Sequence, residues 1–437
     1  MKKLLLLIFT FAFFSINAQI TGKYYIKAQS IFDSESGEFR SGISLLIKNG
    51  KIEKVVKDNE ITSEEKKEYT FIDLSNSTLL PGLIDSHTHL LYKEVLYPFN
   101  QVESVDMAKN LTLNSDAYRA LYGAARAKAY LEAGITSVQD LGNSGQFGDM
   151  ALKRAINENL VPGPRMRCSG PGLSPEGGQM PGLIYKHRSL IDDEYRIIKG
   201  REDAIQAVRE NITQGADIIK IYANYSPNNI RLSFEEMKAI VDEAHRNNIR
   251  VTAHATDNKG IYDAVTAGVD AIEHGYNVND TTLELMAKKN VVLVPTDGDS
   301  VTAIQVINLA QPGHTEIYKY VMDHRRKLAD RLHRAINKGV CVAAGSDDYT
   351  EYNLPFAEPS KRTLIGYTEA GIKIPQVLQF ATINASKQLN LSNKIGIIKP
   401  GYLADIIAVD PDIYKNIYAI MNIHFVMKGG KVIVASK

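Results

Sequence analysis

Between residues 79 and 397 strand-like apolar segments alternate with helix-like ones, and this alternation constrains the fold more than any other feature. The strands begin at Leu83 to His89 and continue with Thr136 to Leu141, Arg165 to Gly170 and Asp217 to Ala223. Arg250 to Ala255, Ala271 to Gly275, Val291 to Thr296 and Val340 to Asp347 complete a set of eight. Helical stretches lie between them. Asp116 to Ala133 is closed by Gly134, a helix-ending glycine, and another opens on Ser233-Phe234-Glu235-Glu236, a capping box. Eight repeats of strand and helix at this length predict an α/β fold, a (β/α)8 barrel whose active site lies where the strands end. Two connections, Tyr92 to Ser115 and Leu173 to Gly200, exceed what a barrel needs and are read as a lid or pocket wall over that face.

The chain flanking this middle has another pattern. Tyr24 to Ala28, Gly42 to Lys48 and Lys51 to Val56 are short alternating strands, the last pair joined at Asn49-Gly50, a hairpin turn. Asp405 to Val409, His424 to Lys428 and Lys431 to Val434 look alike at the other end. Neither set can close a core alone. The expectation is one small β-sandwich domain from residues 19–78 and 398–437, beside a barrel of 79–397.

The chemistry-bearing residues sit at the strand ends. In Leu80 to His89, residues two apart share a face, so His87 and His89 point the same way, a half-site for a metal ion. His254 closes the fifth strand, His274 the sixth and Asp347 the eighth. The fourth, Asp217-Ile218-Ile219-Lys220-Ile221-Tyr222, carries a lysine among aliphatics. Alone, Lys220 reads as a structural lysine paired with a carboxylate. In this company it reads as an amine whose pKa burial lowers, able to capture CO2 as a carbamate and bridge two cations. His87, His89, Lys220, His254, His274 and Asp347 together can bind two divalent ions, with Zn the first expectation and Mn and Co compatible. Such a pair activates water and polarises a carbonyl, and Asp347 would serve as general base and then acid. The reaction class is hydrolysis of an amide or ester-like bond, with Asp347 and His274 the expected catalytic pair. His245, His324 and His333 fall in charged helical segments, His424 in the small β-domain and His314 and His187 in loops.

Other classes are excluded or set aside. Lys+Arg number 51 and Asp+Glu 50, so nothing in the charge balance points to nucleic acid. Lys2-Lys3, the apolar run Leu4 to Phe14 and the small residue Ala18 describe a signal peptide over residues 1–18. The run falls short of the roughly 20 apolar residues a span needs. An exported chain with no stable membrane span is expected, and a homo-oligomer is compatible with it. Cys168 and Cys341 are read as small core residues rather than a disulfide or metal ligands.

These motifs, with Lys399-Pro400-Gly401-Tyr402-Leu403-Ala404-Asp405, resemble the amidohydrolase superfamily over nearly the whole chain. Within it the sequence is most similar to the imidazolonepropionase-like group, which includes zinc-dependent Xaa-Pro dipeptidases. The resemblance implies a (β/α)8 barrel, a binuclear zinc centre and a carboxylated lysine. It implies that His87, His89 and Asp347 hold one ion, that His254 and His274 hold the other, and that Lys220 bridges them. Imidazolonepropionases lack the bridging lysine, so Lys220 favours the peptidase-like branch. Where those dipeptidases have Gly-Gly-His, this chain has Gly177-Gly178-Gln179, whose amide donates a hydrogen bond but carries no charge. Gln179, Tyr222 and Tyr225 are the expected substrate contacts. A dipeptide or N-acyl amino acid is the leading substrate class. A cyclic amide or a lactone is the alternative, and a non-catalytic binding barrel the reading from another class.

Overall fold

The computed structural model describes residues 22–94, 106–224, 226–310, 313 and 316–435. The expected leader (residues 1–18), Tyr225 and His314 lie outside the described residues. Among the described residues no helix is long and apolar enough to cross a membrane.

The two chain ends share one eight-stranded sheet. Its seam is the antiparallel pairing of Thr70–Pro81 with Ile406–Val409, in the register Ile406 to Pro81 through Val409 to Thr78. Neither end buries its apolar face without the other: Ile26, Leu45, Ile47 and Leu79 pack with Ile406, Phe425 and Met427. The sheet curls. Lys51, on the edge strand Lys51–Lys57, bridges Leu403 next to the seam, and a Cβ on Gly430 would lie 2.7 Å from the Gly50 Cα.

The middle is α/β with parallel sheets. Leu83–Thr88, Ile135–Asp140 and Arg165–Cys168 form one. The other runs in the order Tyr195–Ile197, Gly172–Ser174, Ile218–Tyr222, Arg250–Asp257, Ala271–Asn277 and Val292–Val294. All five residues of Ile218–Tyr222 are buried, as expected of a parallel strand covered on both faces. The helix Asp116–Glu132 starts where Ser115 caps the Tyr118 N–H, and Phe234–Arg246 starts on the reciprocal Ser233–Glu236 capping box.

Two expected strands differ. Arg165 to Gly170 is not continued into the second sheet as one strand. Arg165–Cys168 pairs with Ile135–Asp140, and the chain then breaks at Gly170-Pro171. There Gly170 has φ 66° and Pro171 has no N–H to give a ladder. Gly172–Ser174 then pairs onto Ile221. The long connection Leu173 to Gly200 therefore supplies two short sheet strands as well as a pocket wall. Val340 to Asp347 forms no continuous strand and joins its neighbours by isolated parallel bridges, Leu293 to Val342 and, just past its end, Thr88 to Asp348. Its N–H groups divide: Ala343 donates to the Leu293 carbonyl (3.0 Å) and Asp347 to that of His87 (2.8 Å), whereas Ala344 donates to the Phe380 carbonyl (2.9 Å) and Ser346 to Asp85 Oδ1 (3.0 Å). Gly345 is required here, because a Cβ would stand 2.9 Å from the His87 Cβ and 2.5 Å from Val294 Cγ1.

Candidate active site

The parallel strands deliver their C-terminal residues to one cavity of about 260 Å3. His87, His89, Lys220, His254, His274 and Asp347 all line it, together with Gln179 and Tyr222. Of the expected metal, catalytic and substrate-contact residues, Tyr225 alone falls outside the described part of the chain. His187 is exposed and does not line the cavity, and His245 bonds Asp270 at the surface. Cys168 and Cys341 are both free, and neither lines the cavity.

The tightest group is His87, His89 and Asp347. Their imidazole Nε2 atoms are 3.3 Å apart, and each is within 3.3 Å of Asp347 Oδ1. The outer hydrogen bonds set the tautomers. His87 Nδ1–H donates to Glu273 Oε2 (2.7 Å) and His89 Nδ1–H to the Gly142 carbonyl (2.8 Å). Both Nε2 lone pairs are thereby left facing the carboxylate oxygen, a donor set that fits a divalent cation. The ring of His274 lies 5.2 Å from that of His87 and 4.5 Å from that of His254. Thr296 Oγ1 spends its own proton on the Pro295 carbonyl (2.7 Å), so it accepts from His274 Nδ1–H at 2.8 Å and Nε2 is again the basic atom.

The electrostatics suit the same use. Burial holds the His87, His254 and His274 imidazoles well below their ordinary pKa, so they stay neutral as ligands must. Burial also lowers the Lys220 ammonium, against the opposing pull of Glu273 and Asp347. Burial would raise Asp347, but His87, His89 and Lys220 draw its carboxyl below the usual range. Lys220 is 1% exposed, and its Nζ lies 5.3 Å from the Tyr222 ring centre.

Three supporting residues were not legible as functional in the sequence. Glu273 orients His87, and burial pushes its carboxyl up to about 7. A carboxylate inside the apolar run Ala271-Ile272-Glu273-His274 was the available signal. Asp85 stands two residues before His87 and accepts from the His87 N–H (3.1 Å). It accepts from Ser346 N–H (3.0 Å), Ser346 Oγ (2.6 Å) and Ser360 Oγ (2.6 Å), tying the first strand to the Gly345-Ser346-Asp347 turn. Arg126 donates to the carbonyls of His89 (2.8 Å) and Tyr92 (2.9 Å) from a helix with nothing in its sequence to mark it. The Glu273 role has a direct consequence. Glu273→Gln is expected to weaken metal binding by roughly 10- to 100-fold, read by chelator competition, because the His87 tautomer is no longer fixed by an anion.

The chain belongs to the amidohydrolase family, whose model matches residues 78–433. It is 28% identical to an ochratoxinase of Aspergillus niger over 385 residues, which cover 81% of this chain and 75% of the relative. It is 24% identical to an imidazolonepropionase of Geobacillus kaustophilus, with 92% of each chain covered. Among solved structures it resembles a Xaa-Pro dipeptidase with bound methionine in its active site. That match has a TM-score of 0.79, 27% identity and coverage of 94% of this chain and 100% of the other. The fold is TIM-barrel-like, and the protein is a hydrolase acting on carbon–nitrogen bonds.

Proposed function

We propose that this chain is an exported, binuclear metal-dependent amidohydrolase that cleaves the amide bond of a dipeptide or an N-acyl amino acid. The observation that carries the reading is the convergence of four histidines, a buried lysine and an aspartate on one cavity. His87, His89 and Asp347 would hold one ion, and His254 and His274 the other. Lys220, whose ammonium form burial disfavours, would add CO2 at Nζ and lose a proton, giving a carbamate that would serve as the ligand shared between the two ions. Zinc suits this imidazole- and carboxylate-rich set; when bound, the ions lower the pKa of water and stabilise developing negative charge on the scissile carbonyl. Asp347 is ionised and lines the cavity, where it would take a proton from the attacking water and return it to the departing nitrogen. Gln179, half-buried, and Tyr222 would orient the substrate through an amide and a ring face. Met107, Met180 and Pro181 give the wall above them an apolar character.

The two parallel sheets and the bridging segment 340–348 are read as a closed (β/α)8 barrel spanning 79–397. The curled sheet of 19–78 and 398–437 is read as a small flanking β-sandwich. Residues 1–18 are read as a cleaved leader, so the exported form should begin at Gln19.

The test is a substrate panel of Xaa-Pro dipeptides, N-acyl amino acids, cyclic amides and lactones, run on enzyme of known metal content. Turnover confined to linear amides is the expected result. Turnover confined to cyclic amides or lactones would replace the substrate class, and a fully metallated chain that turns over nothing would replace the enzyme with a binding protein.

A further inference from the structure

At the ends of the sixth, seventh and eighth strands His274 (φ 69°), Thr296 (φ 60°) and Asp347 (φ 56°) adopt the left-handed conformation, which Asn143 (φ 57°), another cavity residue, also takes. This backbone is strained for a residue with a Cβ, and a β-branched residue such as Thr296 is an outlier there. Such conformations persist only where surrounding contacts impose them. For Asp347 the contact is its own N–H, which donates to the His87 carbonyl at 2.8 Å. For His274 and Thr296 it comes from outside the strands. Arg331, on the helix Glu316–Asn337, is fully buried and sends its guanidinium to both ends at once. One nitrogen donates to the His274 carbonyl, and another to the carboxylate of Asp297, the residue after Thr296. The guanidinium carbon stands 5.7 Å from the ring centre of Tyr276, whose hydroxyl is 3.3 Å from His274 Nδ1. The planar fork matches two acceptors in fixed relative positions, a task a lysine cannot perform.

We propose that Arg331 is a positioning residue for the second ion. It clamps the ends of the sixth and seventh strands in their strained conformations, and so holds the His274–Thr296 hydrogen bond that fixes the tautomer and aim of His274. Arg331 does not line the cavity, and it acts through the backbone. The inference rests on the two-ion reading above and names the group on which one half of that centre depends.

The test uses the full chain and two variants. Arg331→Lys keeps a cation beside Asp297 but loses the fork. Arg331→Met combined with Asp297→Asn removes both buried charges, so neither is left uncompensated. Each metal-free protein is titrated with zinc against a chelator, and its thermal midpoint is measured before loading. Wild type should bind in two steps. In both variants one step should weaken by about tenfold or more, with more of the loss in the double variant, while the other stays within about twofold. kcat should fall with KM little changed, and the metal-free midpoints should stay near wild type. Two unchanged steps would overturn the proposal. So would equal weakening of both steps alongside a large drop in the metal-free midpoint, which marks a merely structural arginine. A wild-type chain that takes up one ion breaks the two-ion reading and this inference with it. Wild-type binding of two ions with unaffected variants breaks this inference alone.

Discussion

Lys220→Met should lower kcat by at least ~10^3-fold and reduce the metal content of the purified chain from about two ions to one or fewer. The loss exceeds the 10- to 100-fold that an outer hydrogen-bond partner is worth, because the bridge between the two half-sites goes with the side chain. Methionine keeps most of the volume and leaves the strand Ile218–Tyr222 apolar throughout, so the variant should fold. It also removes an amine that burial penalises, so the metal-free protein should melt no lower than wild type. Stability and activity would then move independently, the pattern of a side chain retained for function at a cost to the core. Short carboxylates added to Lys220→Ala, which opens space for them, should restore part of the metal content and part of the turnover. A Lys220→Met enzyme that keeps two ions and full activity would show the lysine to be structural.

The second large effect is at Asp347. Asp347→Asn preserves shape but cannot take a proton, and kcat should fall by ~10^2- to 10^4-fold, the range a positioned general base supplies. KM should change less. The pH profiles should separate the carboxylate from the imidazoles. Asp347 has its carboxyl below the usual carboxylate range, so it stays deprotonated through the range in which the histidines titrate. The acidic limb of wild-type activity should therefore follow metal loss as histidines protonate. Burial holds His87, His254 and His274 well below 6.5, so that limb should lie on the acid side of 6.5. Metal content and kcat/KM measured together across pH should fall in step. An acidic limb above 6.5 with metal retained would assign the titration to another group.

How much of this was legible in the sequence depended on whether the signal was local. The helix starts at Ser115 and Ser233 were readable because capping is decided within four residues. The ligand-type residues were readable because a polar side chain at the end of an apolar strand stands out against its neighbours, as Lys220 does in Ile218–Tyr222. Pairing was less readable. Hydrophobic pattern reports burial, not the partner, so Arg165 to Gly170 looked like one strand although Gly170-Pro171 divides its continuation between two sheets. The same limit applies to Val340 to Asp347, where Ala344 and Ser346 turn their N–H groups to Phe380 and Asp85 and so interrupt the ladder. The supporting residues were the hardest to see. Arg331 lies in a charged amphipathic helix, where an arginine is ordinarily a solvated one, and only the tertiary fold brings it to the His274 carbonyl.

Whether this chain grips two cations in that cavity is measured most directly by elemental analysis of the purified protein. About two divalent ions per chain are expected, removed by a chelator together with activity and returned with it on adding zinc. Full hydrolytic activity in a chain stripped of metal would contradict that expectation.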